Sequence, residues 1–283
     1  MDQNILDDYR KNGFAVIPDA LSTEELLELN QFVDQDIIAN PDKWSDPKLG
    51  AGAKSNGFIL LYRPELDKYV RHHKIFPYFQ EILRHEARFG QFDFRDVSPD
   101  FSDTSGMNYH RDVAFFAESG GMIYDPHNPY LSTFACIIYY LKDVHECCPC
   151  FSMVPRSHEY RSFEEAQKEL GEDFQEIPIR GKAGTAVLYN ITTYHTRMPG
   201  TSTCKHGRRT MHNYHGRESQ PPLVNYAMVP EELALSADAT TRDYYSKWPP
   251  QQIEYAQKHF KAKVPPYYHI IPEADKKDLT IKN

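Results

Sequence analysis

The chain has 283 residues, of which 40% are hydrophobic and 25% charged, and its formal net charge is −8. This is the composition of a globular protein with a sizeable core, and the acidic balance argues against nucleic acid as the main partner, because phosphate binding relies on clustered lysines and arginines. No apolar run is long enough to cross a bilayer and no basic-then-apolar leader opens the chain, so we expect a cytoplasmic protein without a membrane partner.

The cysteines do not predict a disulfide framework. Their number, five, is odd, and three of them crowd together as Cys147, Cys148 and Cys150. Small disulfide-stabilised domains have denser and more evenly spread cysteines, so we expect reduced thiols. A zinc site in this cluster is disfavoured, because no second cysteine pair lies at a useful spacing.

Hydrophobic periodicity and turn residues divide the chain into short elements. The predicted elements are, in chain order, helix 2–12, strand 14–18, helix 23–39, loop 40–57, a helical region 64–88, strand 91–97, turn 98–106, strand 109–113, loop 120–131, strands 133–141 and 151–154, helix 162–170, strands 176–179, 185–189 and 208–215, and helices 230–236 and 240–261. Helix 23–39 has the clearest start, because Ser22 and Glu25 form a capping box ahead of apolar residues at helical spacing. Strands joined by irregular connections, without βαβ alternation, predict a mainly β fold with flanking helices, either an antiparallel sandwich or a jelly roll.

The predicted strand 109–113 carries half of a candidate metal site. Successive strand side chains point to opposite faces, so His110 and Asp112 share a face while Arg111 points away. An imidazole beside a carboxylate is part of the 2-His-1-carboxylate triad, which holds non-haem Fe(II) and leaves other positions open for oxygen chemistry. Among thirteen histidines, His195 is the best candidate for the third ligand, because it follows a glycine-led apolar strand after a short turn.

Several motifs follow one another in a specific order. They are Gly-Phe-Ala-Val-Ile-Pro at 13–18, Leu-Ser-Thr-Glu-Glu at 21–25, His-x-Asp at 110–112, Leu-Lys-Asp-Val at 141–144, Phe-Ser-Met-Val-Pro-Arg-Ser-His at 151–158, the strand 184–189, His195, and Arg-Arg-Thr at 208–210. In this order they resemble the phytanoyl-CoA dioxygenase family of Fe(II)- and 2-oxoglutarate-dependent oxygenases. The sequence departs from the family pattern at Arg156, where glycine is usual, and at Thr185, where an acidic residue is common.

The resemblance implies a double-stranded β-helix, which is the jelly-roll, cupin-like fold. It also implies that His110, Asp112 and His195 bind Fe(II), and that an arginine after His195 holds the distal carboxylate of 2-oxoglutarate. The family pattern places this role on Arg208, with Arg209 as the fallback, and neighbouring strand residues face opposite sides, so only one of the two can reach the site. A guanidinium suits the role because it pairs with a carboxylate through two parallel hydrogen bonds.

The implied reaction consumes O2 and 2-oxoglutarate, releases succinate and CO2, and oxidises a small organic molecule, with hydroxylation as the default. Related halogenases replace the carboxylate ligand with a small residue, so the retained Asp112 argues against halogenation. The substrate could be a natural-product intermediate. Two alternatives stay open: a cupin-like metalloenzyme that does not use 2-oxoglutarate, and a non-catalytic jelly-roll binding protein.

We expect one domain across 1–283, with the resemblance spanning 8–216 and a helical extension at 217–283. The tyrosine-rich extension could form a lid or a dimer surface, which leaves a homodimer open. On an arginine strand, His212 shares a face with Arg208 and would line the pocket. The weaker candidates for substrate contact are Phe115, Phe116, Tyr109, Arg161 and the loop 40–57.

Overall fold

The protein is described by a computed structural model that covers residues 1–45, 53–85, 87–97, 108–112, 134–201, 204–217, 228–246 and 269–271. The strands in these ranges are β1 (Phe14–Ile17), β2 (Ala53–Asn56), β3 (Ala87–Val97), β4 (Phe134–Tyr140), β5 (Cys150–Met153), β6 (Ile177–Ile179), β7 (Ala186–Asn190), β8 (His195–Met198), β9 (Arg208–Arg217), β10 (Met228–Pro230) and β11 (His269–Ile271). The α-helices are α1 (Gln3–Asn12), α2 (Thr23–Ala39), α3 (Ile59–Tyr62), α4 (Asp67–Val70), α5 (Phe76–Ile82), α6 (Phe163–Leu170), α7 (Glu231–Ala234) and α8 (Ala239–Ser246).

Two antiparallel sheets form the body of the fold. The larger has six strands in the order β1-β7-β4-β9-β3-β2, and the smaller has three in the order β6-β5-β8. The remaining pair, β10 with β11, is parallel. Helices flank this mainly β arrangement, and the described strands do not close into a barrel. The predicted fold class, mainly β with flanking helices, is confirmed.

The central strand β4 is buried on both faces and therefore belongs to two cores. Its Ile137 and Tyr139 join the helix-side core, which also receives side chains from α1, α2 and α5. Its Cys136 and Ile138 join the inter-sheet core, which contains residues of both sheets. Burial on both sides explains the unbroken apolar run in this strand. Each fully buried large aliphatic side chain contributes about 1.5–3 kcal/mol, so β4 holds the helix layer and the second sheet together.

The N-terminal elements begin and end where their sequence signals predict. The Ser22 side chain accepts from the Glu25 N–H while the Glu25 carboxylate accepts from the Ser22 N–H, which closes the capping box. Gly13 ends α1 with φ +82°, and a Cβ there would lie 2.4 Å from Nδ1 of His158. Glycine is therefore required at this position both by the backbone conformation and by the close approach of His158.

Arg156 lies in the left-handed region, with φ 64°. This is the position where the family usually has glycine, and the conformation explains that preference. The backbone N–H of Arg156 donates to the carbonyl of Asn12 at 2.9 Å, and its guanidinium pairs with Glu159 at 3.2 Å. These contacts hold an arginine in a conformation that costs about 1 kcal/mol for a residue with a Cβ.

Two of the predicted segments need correction. The loop 40–57 contains β2, which lacks the apolar alternation of a half-buried strand because it is built from small and polar residues. The helical region 64–88 breaks into short helices and gives way to β3 at Ala87. The turn 98–106, the loop 120–131 and the end of helix 240–261 lie outside the described residues.

The segment around His110 is also less regular than predicted. Instead of a strand over 109–113, His110 makes an isolated antiparallel bridge to His195, and Asp112 lies in a turn. Val113 lies outside the described residues. The backbone of Asp112 still binds the chain next to the bridge, since its N–H donates to the carbonyl of Ile191 at 3.1 Å. The two ligand candidates are therefore fixed to the β7–β8 turn rather than by a regular strand.

The expectation of reduced cysteines is wrong for Cys147 and Cys204, which form a disulfide. Their separation of 57 residues gave no local signal, because the contact depends on two loops meeting in space. The other three cysteines are free and buried.

The described part of the C-terminal extension packs onto the helix-side core. Tyr244 and Tyr245 are buried there, with the Tyr244 hydroxyl 2.9 Å from Nδ1 of His215 and the Tyr245 hydroxyl donating to Asp67 at 2.6 Å. Among the described helices, none combines the length and the apolar character that crossing a membrane requires.

Candidate metal centre and active-site pocket

His110, Asp112 and His195 come together at one end of the inter-sheet core. The backbones of His110 and His195 exchange two hydrogen bonds of 3.0 Å, which places the two rings 4.6 Å apart between centroids. Nε2 of His195 lies 3.4 Å from Oδ1 of Asp112. One ligand atom from each of the three side chains lies within 4.8 Å of the others. The predicted triad is thus assembled from two chain segments by a single β-bridge.

Backbone carbonyls orient both imidazoles. Nδ1 of His195 is 2.8 Å from the carbonyl of Thr193, and Nδ1 of His110 is 3.0 Å from the carbonyl of Asn108. A carbonyl only accepts, so each Nδ1 carries the proton and each Nε2 keeps its lone pair. This is the arrangement in which histidines bind metals, with the outer nitrogen held by a second group.

The carboxylate is oriented in the same way. The hydroxyl of Tyr189 donates to Oδ2 of Asp112 at 2.9 Å, which leaves Oδ1 on the side of His195. Burial raises the pKa of Asp112, but the neighbouring His195 and the hydrogen bond that Tyr189 donates outweigh it and lower the pKa below its usual value. Burial, followed by the proximity of His195, lowers the pKa of His110. The side chains therefore favour an ionised Asp112 and a neutral His110, the protonation states that bind a divalent cation.

The donor set fits ferrous iron. Two imidazole nitrogens and one carboxylate oxygen on one side of an ion form the facial triad that non-haem Fe(II) oxygenases use. All three ligand candidates line one cavity, so an ion held by them would be open to that cavity. That cavity has a volume of about 490 Å³ and is lined by the three ligand candidates and by Ser45, Ala53, Ser55, Gly57, Phe58, Asp93, Arg95, Ile138, Phe151, Tyr189, Arg197, Arg208, His212 and Tyr214.

Arg208 and Arg209, adjacent on β9, face opposite sides of the sheet. Arg208 lines the cavity, and His212 lies on the same face, as predicted for that strand. Arg209 instead pairs with Asp34 at 2.7 Å and with Asp96 at 3.0 Å on the other face. A larger depression of about 680 Å³ lies beside Arg209, lined mainly by charged residues, and contains none of the triad. The geometry thus leaves Arg208, and not Arg209, available to a ligand in the cavity.

Arg208 is a buried cation whose Nε finds no hydrogen-bond partner among the described residues. It is 7% exposed, and burial lowers its pKa to about 10, which still leaves it charged at neutral pH. Burying an unpaired charge is costly unless an opposite charge joins it. The site therefore fits an anion such as the distal carboxylate of 2-oxoglutarate, which a guanidinium binds through paired hydrogen bonds.

A polar row on β3 faces the same cavity and was not identified from the sequence. Asp93 accepts hydrogen bonds from Gln91 and from Nε of Arg95, the latter at 3.0 Å. The signal was present, because Gln91, Asp93 and Arg95 alternate with Phe92 and Phe94. The position of this row beside the cavity follows from the pairing of β3 with β9, in which Asp93 lies opposite His212 and Arg95 opposite Thr210.

Among the weaker candidates that the structure describes, the loop 40–57 contributes to the cavity, through Ser45, Ala53, Ser55 and Gly57. The ring of Tyr109 stacks on Phe163 at 5.2 Å, and its hydroxyl is 2.9 Å from that of Ser152. Arg111 points away, as predicted, and donates to the carbonyl of Ser157 at 2.7 Å. Phe115 and Phe116 lie outside the described residues.

Solved structures with similar folds include proteins crystallised with iron or nickel, two of them together with 2-oxoglutarate. The epimerase SnoN in complex with Fe3+, alpha ketoglutarate and nogalamycin RO is 16% identical, with a TM-score of 0.61 over 80% of this chain and 88% of that chain. EctD from S. alaskensis with bound Fe is 16% identical, with a TM-score of 0.63 over 79% of this chain and 80% of that chain. HygX from Streptomyces hygroscopicus with nickel and 2-oxoglutarate bound is 13% identical, with a TM-score of 0.57 over 77% and 87%. At these identities the likeness establishes the jelly-roll fold.

No curated protein matches the chain in sequence. The family model described as Phytanoyl-CoA dioxygenase (PhyH) matches residues 9–210. That range includes the three ligand candidates and both arginines at the start of β9. The chain therefore belongs to the phytanoyl-CoA dioxygenase family of Fe(II)- and 2-oxoglutarate-dependent oxygenases.

Proposed function

We propose that this protein is a dioxygenase in which His110, Asp112 and His195 hold Fe(II) and Arg208 holds 2-oxoglutarate, and that it hydroxylates or otherwise oxidises a small organic molecule. The observation that carries the proposal is that two oriented imidazoles, an oriented carboxylate and a buried guanidinium share one cavity, and that Nε of this guanidinium has no hydrogen-bond partner in the described part of the chain. Iron and 2-oxoglutarate, when bound with O2, supply the oxidising chemistry and release succinate and CO2.

The protein's own residues bind and orient the reactants. Tyr189 and the Thr193 carbonyl keep Asp112 and His195 in their binding orientations. Arg208 neutralises the distal carboxylate of 2-oxoglutarate and thereby fixes the position of the co-substrate in the cavity. Asp93 and Arg95 of β3 and the small residues of β2 line the same cavity, and we place the primary substrate against them. Since a carboxylate occupies the third ligand position, the site lacks the open space that halogenases use for halide.

We assign the substrate to the small-molecule natural products. This assignment is supported by family membership and by the cavity volume of about 490 Å³, the size of a drug-sized ligand site. The solved structures named above include an enzyme of nogalamycin biosynthesis, and another HygX structure contains hygromycin B. We further propose that 1–283 acts as one domain in the cytoplasm, without a nucleic-acid or membrane partner. The homodimer stays a prediction.

The test is succinate release in air from 2-oxoglutarate and Fe(II) with a panel of natural-product intermediates. We expect at least one compound to raise succinate formation above the uncoupled background and to gain one oxygen atom or lose two hydrogens, as measured by mass spectrometry. Asp112→Ala is the matched control and should abolish both signals. A substrate turned over equally well without 2-oxoglutarate would indicate the cupin-like metalloenzyme instead.

A further inference from the structure

Three cysteine sulfurs lie close together outside the active-site cavity, where two loops contact each other. Cys147 and Cys148 lie in the connection between β4 and β5, and Cys204 lies in the connection between β8 and β9. Their Sγ atoms all lie within 4.8 Å of one another. Cys148 and Cys204 are buried and Cys147 is half-buried. The sequence alone gave no reason to group Cys204 with the other two.

Two histidines stand beside the sulfurs in a matching pattern. His145 precedes Cys147 by one intervening residue, and His206 follows Cys204 by one intervening residue. Their rings are 4.8 Å apart between centroids. Both are exposed and can rotate without disturbing the core. Each loop therefore carries an exposed imidazole two residues from a clustered cysteine, and this side chain can turn toward the sulfurs.

The backbone holds the two loops together independently of the sulfurs. Thr201 of the second loop donates to the carbonyl of Cys147 in the first at 2.9 Å, and within the first loop Cys148 donates to the carbonyl of His145 at 3.0 Å. A Cβ at Gly200 would lie 2.9 Å from the carbonyl oxygen of Cys147, so only glycine permits this approach. The donors are thus brought together in advance, which lowers the entropy cost of binding an ion.

The spacing of the free thiol matches a tetrahedral thiolate site. Sγ of Cys148 is 3.7 Å from Sγ of Cys204. Two thiolates bound to one Zn²⁺ at about 2.3 Å with tetrahedral angles lie about 3.8 Å apart. A disulfide alone needs only Cys147 and Cys204, and does not account for the third, buried thiol of Cys148 beside them.

We propose that the reduced form of this cluster is a second metal site, which binds Zn²⁺ through Cys147, Cys148 and Cys204 with His145 or His206 as the fourth ligand. The Cys147–Cys204 disulfide is its oxidised form. A dithiol reductant donates two electrons and two protons to open the disulfide, becoming a disulfide itself, and Zn²⁺ then displaces the protons of the three thiols. Soft thiolates favour Zn²⁺ over the hard cations that carboxylates bind.

The proposed site adjoins the strand that carries Arg208. Cys204 lies four residues before Arg208, in the loop that leads into β9. The site is separate from the triad, because none of its residues lines the active-site cavity.

The test is titration of the fully reduced, metal-free protein with Co²⁺, a spectroscopic substitute for Zn²⁺. Thiolate ligands give an intense sulfur-to-cobalt charge-transfer band in the near ultraviolet, whereas two imidazoles and a carboxylate do not. We expect this band to saturate at one Co²⁺ per chain, to be lost on adding Zn²⁺, and to persist in His195→Ala. Oxidation to the disulfide should release the metal.

Two variants make the test specific. Cys204→Ala should remove the band, while Cys150→Ala, which removes a buried cysteine of the same segment outside the cluster, should keep it. Cys148→Ala serves as a second test in case Cys204→Ala does not fold, as judged by circular dichroism. Absence of the band from the reduced wild type, or a band unchanged in the folded Cys204→Ala or Cys148→Ala variants, would overturn the proposal.

Discussion

Each face of β9 carries a buried arginine. Arg209 lies on the outer face, toward α2, and Arg208 lies on the inner face, toward the cavity. On the outer face, Arg209 is surrounded by Asp34, Asp96 and the Asn30 side chain. On the inner face, Arg208 is equally buried but has an Nε without a partner among the described residues. A buried cation with its partners in place stabilises the fold, whereas one without them costs stability and is available to a ligand. The presence or absence of a bonded partner therefore distinguishes the structural arginine from the functional one, whereas burial does not.

Arg208→Gln should have the largest effect on the inner face. Losing a charged, bidentate contact to the distal carboxylate weakens 2-oxoglutarate binding by about 100-fold, since hydrogen bonds to charged groups contribute about 1.5–3 kcal/mol. Because Arg208 forms no described ion pair, its replacement leaves no described carboxylate unpaired, and the melting temperature should stay the same or rise. Equilibrium binding of 2-oxoglutarate under anaerobic conditions measures the first effect, and calorimetry the second. Unchanged affinity would contradict the assignment of Arg208.

Arg209→Gln should give the reverse pattern. It breaks the pairs with Asp34 and Asp96, and the free energy of unfolding should fall by about 2 kcal/mol. The affinity for 2-oxoglutarate should stay within about twofold of wild type once the folded fraction is taken into account. Urea denaturation and the same binding assay report the two quantities. An equal loss of 2-oxoglutarate binding in both arginine variants would remove the distinction between the faces.

Tyr189→Phe tests whether a hydrogen bond on the inner face orients the metal ligand Asp112. The variant removes the hydrogen bond to Oδ2 of Asp112, and the loss of such an outer contact lowers metal affinity by about 10-fold. Tyr140→Phe is the matched control, because its hydroxyl donates to the Ile179 carbonyl and Tyr140 does not line the cavity. Competition with a fluorescent chelator measures Fe(II) affinity. If both variants bind iron like the wild type, Tyr189 has no orienting role.

Acid pH should act on the outer face through His215. Burial lowers the pKa of His215 to about 3, and its ring contacts Phe76, Phe79 and the Tyr244 hydroxyl. The unfolded chain takes up a proton near pH 6.5 while the folded protein does not, so this contribution to stability is complete above pH 6.5. It is lost as the pH falls toward 3, at up to about 1.4 kcal/mol per pH unit. In urea titrations at several pH values, His215→Gln should lose less stability than the wild type on acidification, and an identical slope would contradict this account.

The sequence predicted those features that local chemistry determines. The start of α2 follows from its capping box, and β4 follows from its apolar run. His110 and Asp112 came from their alternation along the chain and His195 from its place after a glycine-led strand, whereas the role of Arg208 came from the order of motifs. The disulfide, the β3 polar row and the absence of a regular strand at His110 could not be predicted, because each depends on which distant segments pair.

The most direct test of the account is anaerobic titration of the protein with Fe(II) followed by 2-oxoglutarate, monitored for the weak visible charge-transfer band of the chelate. We predict that the band forms at one equivalent of iron, is absent in His195→Ala, and in Arg208→Gln needs about 100-fold more 2-oxoglutarate to reach half its intensity. A band of wild-type intensity in His195→Ala would contradict the assigned centre, as would its absence from the wild type.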